Sequence, residues 1–523
     1  MRISTGQYFA NSSNSYAKNF ADTAKTQEQI SSGTRLQTAS DDPVGAAKVL
    51  KLQQQSAMLT QYSNNMSTIT SSLTSEESIL SSITDALQRA RELTLSAGNG
   101  GMSDADRTSI ANELGEIEES IYGMLNTKDA NGNYIFAGSK SSTQPYVRNS
   151  DGTYSYQGDQ TQLSLQVSDT LSLALNDTGF SIFESATNIS RTQTTLTAPA
   201  VNDDRITVSA GQMTSSNSYN SKFTSGEPYT LTFLSSTEFT VTDAAGNDVT
   251  AETSTNGTID PKDDNGTTIS LRGVEFEVNV TLQDTDDAAD ADTLIAGHEF
   301  SLASKPDTVT VNRTPSNPST AQVTSGVVSN AGDYAAAFPD GGAVIKFTSA
   351  TDYALYAAPV TDSSKPITTG TLTGTSITAA GVTFEISGTP AAGDQFSVGA
   401  SSHQTQNVLN TISGLRQALQ VPITDAQSSL DLKNAIASAL GNLDQASQQI
   451  DITRGSIGAR GNALDIQLTE NSSMTLANQS TISSIADTDY ATASIQLTLQ
   501  QTMLQAAQLS FAKISQLSLF DKI

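Results

Sequence analysis

The chain has 523 residues, room for about three or four domains, and carries a net charge of −27 from 27 basic and 54 acidic side chains, with no cysteine. That balance repels nucleic acid and anionic membranes, and the missing thiols exclude disulfides, thiolate zinc sites and cysteine nucleophiles. With only two histidines and no Walker loop, dinucleotide fingerprint or HExxH, nothing points to an enzyme, a metal site or a cofactor.

The N-terminus has no apolar h-region, so a cleaved signal peptide is not expected. Phe9, Tyr16, Phe20 and Ile30 share one heptad frame up to the break at Ser31-Ser32-Gly33. Asp42-Pro43 reads as N-cap and first residue of a long helix running to about Leu95. Leu52, Leu59, Tyr62, Met66, Ile69, Leu73, Leu80, Ile83, Leu87 and Ala90 occupy its a and d positions, with Gln55 and Glu76 the polar exceptions. Ser103 is expected to cap a second helix with its seam at Ile110, Leu114, Ile117, Ile121 and Met124, antiparallel to the first.

After Asn126 the pattern changes to short strands, with a turn at Asn131-Gly132 and alternation such as Leu163–Val167. The middle contains an internal repeat. Phe233, Thr237, Glu238 and Phe239 match Phe347, Thr351, Asp352 and Tyr353; Gly273–Val278 matches Gly381–Ile386; Ala296–Leu302 matches Ala392–Val398. Two related β-domains are expected, 205–303 and 325–400, joined by a linker over Pro306–Pro318. Residues 201–300 concentrate the acidity, which is read as a solvated surface; Asp263-Asp264 and the acidic run at 284–287 lack the ligand spacing of a calcium loop. His298 aligns with Asp394 in the repeat, and a position open to either residue reads as a solvated turn.

Helix resumes near Gln404 with Val408, Ile412, Leu415 and Leu419, and breaks at Val421-Pro422. Ile436, Leu443, Ile450, Ile457 and Leu464 then follow at seven-residue steps. A terminal seam holds Tyr490, Ala493, Leu497, Leu504, Ala507, Phe511 and Ile514. Residues 491–512 contain no charge, yet five Gln and five Ser/Thr make them too polar to cross a membrane. The Leu52–Ala90 and Ile436–Leu464 seams read as bundle core within one chain. The terminal seam continues through Leu517, Leu519 and Phe520, which favours contact between subunits.

Gln29–Ala47, with its Ser-Asp-Asp-Pro-Val, and Gly132-Asn-Tyr-Ile-Phe-Ala-Gly-Ser139 resemble the N-terminal part of flagellin-like axial proteins, and the flagellar hook-associated protein 3 (FlgL) type more than flagellin. Ile450–Leu464 and Ile485–Tyr490 resemble the matching C-terminal helices. The similarity covers about 1–185 and 404–523; the β-repeat is excess over the type.

The resemblance implies a multidomain α plus β chain, with a coiled-coil-like helical stalk built from both terminal segments and inserted all-β outer domains. The expected division is an N-terminal polymerisation and export segment 1–40, stalk helices 41–126, a β-rich region 127–204, the two β-domains, stalk helices 404–484 and a polymerisation helix 485–523. The implied role is a structural junction between hook and filament of the bacterial flagellum. Its partners would be hook-associated protein 1, flagellin, copies of itself and an export chaperone on the C-terminal helix, without nucleic acid or membrane. It would lie outside the cell after type III export. Subunit contacts are expected at Phe9, Tyr16, Phe20, Tyr490, Leu497, Leu504, Ala507, Phe511 and Ile514. Stalk core is expected at Leu59, Tyr62, Met66, Ile69, Leu73, Leu80, Ile83, Leu87, Leu443, Ile450, Ile457 and Leu464. The rival readings are a flagellin filament subunit and a secreted adhesin-like binding protein.

Overall fold

The computed structural model describes residues 5–520 except 100, 150–151, 264–265, 283–285, 340 and 362; side chains are described for these apart from 5, 6, 8, 9, 288, 331, 335 and 514–520. The long helices are α1 (Thr5–Ser32), α2 (Pro43–Ala97), α3 (Asp104–Leu125), α4 (Val408–Leu419), α5 (Ala426–Ala486) and α6 (Tyr490–Phe520). N- and C-terminal helices thus flank a central all-β region that contains an internal repeat. The chain divides into two compact units, one of Met1–Thr74, Leu163–Asn176 and Ser456–Ile523, the other of Ser75–Gln162 and Asp177–Gly455.

In the first unit, α2 starts where the sequence dictates. The Asp42 carboxylate accepts from the Gly45 N–H at 2.9 Å, and Pro43, which has no N–H to lose, opens the helix. Leu59, Met66, Ile69 and Leu73 of α2 are buried, as are Ile457 and Leu464 of α5. Asn471 Nδ2 donates to the Leu59 carbonyl at 2.8 Å, fixing α5 beside α2. The ends of the helices are stitched by backbone bonds: Arg35 N–H donates to Ala486 O (2.6 Å) and Thr488 N–H to Gly33 O (3.0 Å). Two segments quoted above for the resemblance therefore meet in space, one from each end of the chain.

In the second unit, α2 and α5 again run antiparallel. Arg91 pairs with Asp444 (2.8 Å) and Arg454 with Glu77 (2.9 Å), while Leu80, Ile83, Leu87, Leu443 and Ile450 are buried. Ser103 and Asp106 form a capping box at the start of α3, and Arg89 reaches Glu113, which makes α2 and α3 antiparallel neighbours. The buried face of α3 is Ala111, Leu114, Glu118, Ile121 and Leu125, so Ile110, Ile117 and Met124 of the expected seam are only half-buried. The reason is Glu118, 1% exposed, whose carboxylate accepts from Arg416 Nε of α4 (2.8 Å) and from the Tyr154 hydroxyl (2.7 Å). An ion pair and a phenol stand where hydrophobic periodicity alone would put an aliphatic side chain.

The β-region holds two cores, one spanning Ile206–Leu302 and one Val309–Val398. Their strands pair in the same pattern. Glu299–Ser304 lies between Thr192–Ala198 and Tyr229–Phe233, as Gln395–Ser401 lies between Thr308–Arg313 and Ala343–Phe347. Val274–Val280 pairs with Thr267–Leu271 and Ile206–Val208, as Val382–Ser387 pairs with Ser376–Ala379 and Gln322–Val328. Each hairpin turns on two residues with positive φ, Arg272-Gly273 and Ala380-Gly381, the geometry that matches strand twist. A Cβ on either glycine would strike the short helix that follows Ser215 or Asn330.

Two expectations are corrected here. Thr308–Arg313, inside the segment read as a linker, is a strand in the middle of an eight-stranded sheet. His298 and Asp394 are 5% and 0% exposed rather than solvated. His298 contacts Ile295 O (2.8 Å) and Asp203 Oδ1 (3.0 Å), while Asp394 accepts from Ser319 N–H (3.1 Å), the Ser319 hydroxyl and Ala391 N–H (2.8 Å). Both residues tie a strand end to the loop that follows the first strand of their own repeat. Burial works to raise the Asp203 carboxyl, and the bonds from His298 and Arg205 outweigh it, holding it below the ordinary range.

Candidate assembly surface

Helix α6 pairs with α1 inside the chain. The Tyr16 and Phe511 rings stack with centroids 6.3 Å apart, and the Tyr490 hydroxyl lies over Gly33. Helix α1 contributes little apolar surface: Thr23 and Thr26 are buried, their hydroxyls returned to the carbonyls of Asn19 and Asp22 one turn back. Along the expected seam Ala493 is buried and Leu497, Leu504, Ala507 and Phe511 are half-buried. Tyr16 is half-buried too, whereas Phe20 and Tyr490 are exposed; the side chains of Phe9 and Ile514 lie outside the described residues.

The opposite side of α6 is also apolar. At roughly 100° per residue, Ile495 and Leu499 fall across the helix from that seam, Met503 on its flank and Leu509 across it again. They are 73%, 57%, 52% and 67% exposed. A helix apolar on two sides is a buried helix that has so far covered one of them. No charge lies between 491 and 512, so a further partner could cover the second side without stranding an ion.

Other elements of the same unit expose apolar side chains as well. Leu50 and Met58 of α2 and Ile466, Met474 and Leu476 of α5 are exposed. A groove of about 600 Å³ is lined by Met58, Leu59, Tyr62, Asn471 and Met474, with Asp169 at its rim. Tyr62, expected as core, is half-buried, and its hydroxyl donates to Asp169 at 2.9 Å, which pushes the phenol's pKa up. Sequence periodicity missed Ile495, Leu499, Met503 and Leu509 because their spacings of four, four and six residues fall outside the heptad frame. The uncharged run covering the whole circumference was the signal that could have found it. Among the described residues no helix is long and apolar enough to cross a membrane.

Helices from both chain ends pair around a β-insertion, and residues 3–141 match the bacterial flagellin N-terminal helical region. The chain is similar to flagellar hook-associated protein 3 of Salmonella typhimurium, with 36% identity over 188 residues, 36% of this chain and 58% of that protein. It is 35% identical over the same shares to flagellar hook-associated protein 3 of Escherichia coli. The match to flagellin 1 of Proteus mirabilis is shorter, 37% over 114 residues, 22% of this chain and 31% of that protein. Against the solved hook-associated protein 3 of Legionella pneumophila the identity is 22%, over 84% of this chain and 98% of that one, with a TM-score of 0.46. The chain's match spans less than two thirds of the length of the Salmonella and Escherichia coli proteins.

Proposed function

We propose that this protein is a structural component of the bacterial flagellum that joins hook to filament. In this reading its copies pack side by side through the unit holding both chain ends. Hook-associated protein 1 meets one side of the zone and flagellin the other. The protein reaches the outside of the cell by flagellar export without a cleaved signal peptide, a chaperone covering α6 until then. It performs no catalysis.

The observation that carries the proposal is the two-sided apolar character of α6, one side on α1 and the other uncovered. The seam Leu497–Phe511 then serves within the chain, and Ile495, Leu499, Met503 and Leu509 serve between copies or toward the next protein. Fully burying one such side chain contributes about 1.5–3 kcal/mol, before the cost of association. The longer match to hook-associated protein 3 than to flagellin favours a junction over a filament subunit. Deleting the gene should leave cells with hooks that shed flagellin into the medium. Hooks bearing attached filaments in the deletion strain would refute the junction role. The purified protein should also fail to extend filaments from seeds, which a flagellin would do.

A further inference from the structure

The second unit contains a cavity of about 360 Å³ between α4, α5 and the start of the β-region. Its wall combines amides, hydroxyls, Lys305 and His403 with small and apolar residues such as Ala210, Leu415 and Ala439, and among the described residues no carboxylate lines it, although acidic residues outnumber basic ones two to one in the chain. Lys305 of this wall is half-buried, Arg191, bonded to it through the backbone, is buried, and among the described residues neither has a counter-charge. Lys305 Nζ donates to the Ser190 carbonyl (2.9 Å) and hydroxyl (2.7 Å), and among the described residues it forms no ion pair. Arg191, whose carbonyl accepts the Lys305 backbone N–H, is 7% exposed. It donates to the His403 carbonyl (3.2 Å) and lies over the Tyr219 ring, again with no acid.

Withdrawing an ammonium or a guanidinium from water without an anion is costly, and a neutral donor could satisfy the Ser190 carbonyl equally well. Burial alone drives the Lys305 pKa down, as expected of a cation that has lost water and gained no opposite charge. The rest of the cavity offers uncommitted hydrogen-bonding groups. The side chains of Gln406 and Ser438 and the amide nitrogen of Asn434 line it, and among the described residues they bond nothing. A bare oxyanion would leave most of that volume and most of those groups unused, because pockets of this size suit ligands of several heavy-atom shells.

We propose that this cavity binds a small hydroxyl-bearing anion of the sugar-phosphate or sugar-acid class, its anionic group at Lys305 and its hydroxyls at Gln406, Asn434 and Ser438. The anion supplies the missing counter-charge, and the amides recognise the polyol. This is independent of the assembly role.

The test is calorimetric titration of the full chain with glucose 6-phosphate, glucuronate and glucose. At least one of the two anionic sugars should bind saturably and glucose about tenfold more weakly or worse; which anion binds more tightly separates the phosphate from the carboxylate source. Lys305→Met should weaken the anion about tenfold or more, with Lys305→Arg retaining it. No saturable binding of either anion, glucose binding as tightly as they do, or an unchanged affinity in a folded Lys305→Met protein would each overturn the proposal. If Lys305→Met does not fold, the wild-type comparison of anionic sugars with glucose decides alone.

Discussion

Glu184 sits beside the cap of α4, accepting a hydrogen bond from Asn407. Burial pushes its carboxyl up to about 7, against the lowering effect of its bonds to Asn407 and Tyr146. The folded value lies above the unfolded one, so the protonated form favours folding. That contribution is complete below the ordinary carboxylate range and is lost as pH rises through about 7. Between pH 5 and pH 8 the wild type should therefore lose thermal stability relative to Glu184→Gln; parallel melting curves for the two proteins over that window would contradict this. The second residue-scale prediction concerns the repeat. Asp394→Ala should cost about 3 kcal/mol in chemical denaturation, because the donors of Ser319 and Ala391 are left buried and unmatched. A change below about 1 kcal/mol would mean that water replaces the carboxylate. Neither carboxylate's burial was legible in the sequence. Periodicity reports where apolar residues fall, and a polar residue that substitutes for them through hydrogen bonds leaves no trace in it.

Helices carried a clearer signal than sites did. Asp42-Pro43 and Ser103 marked helix starts because cap chemistry is local, and the seven-residue steps from Ile436 to Leu464 lie along a continuous helix. The heptad frame of α6 picked out the side chains that now lie along α1, since regular spacing identifies a stripe without saying which helix it meets. This makes two substitutions separable. Leu504→Asp should loosen α1 from α6 in the isolated protein, seen as faster amide exchange across both helices. Leu499→Asp should leave that pairing and the monomer's helix content intact, yet block incorporation into flagella. Normal incorporation of Leu499→Asp would remove the exposed side of α6 from the assembly contact.

At the scale of the molecule, the β-region enters and leaves the helical framework at one place. Asn188 N–H donates to Gln404 O (3.0 Å) and Gln406 N–H to Ala186 O (3.0 Å), with Thr187 opposite Thr405. The three matched sequence blocks announced a repeat but not its limits, because the opening strands Thr192–Ala198 and Thr308–Arg313 carry no matched motif and are recognised only by their partners. Cutting at 205 and 400 would strip Thr192–Ala198 of its neighbour Glu299–Ser304 and leave an unpaired edge. Excising 191–402 and closing the gap with a short turn should instead give a soluble helical protein by size exclusion, while the 205–400 deletion aggregates. Equal solubility of both would mean that the strand needs no partner. The bonded crossing at 186–188 and 404–406 also works as a socket. Any domain whose own termini lie a few ångströms apart could be plugged in there without disturbing a helix, so the cargo displayed on this chain is free to change in size and chemistry while the machinery that mounts it stays constant.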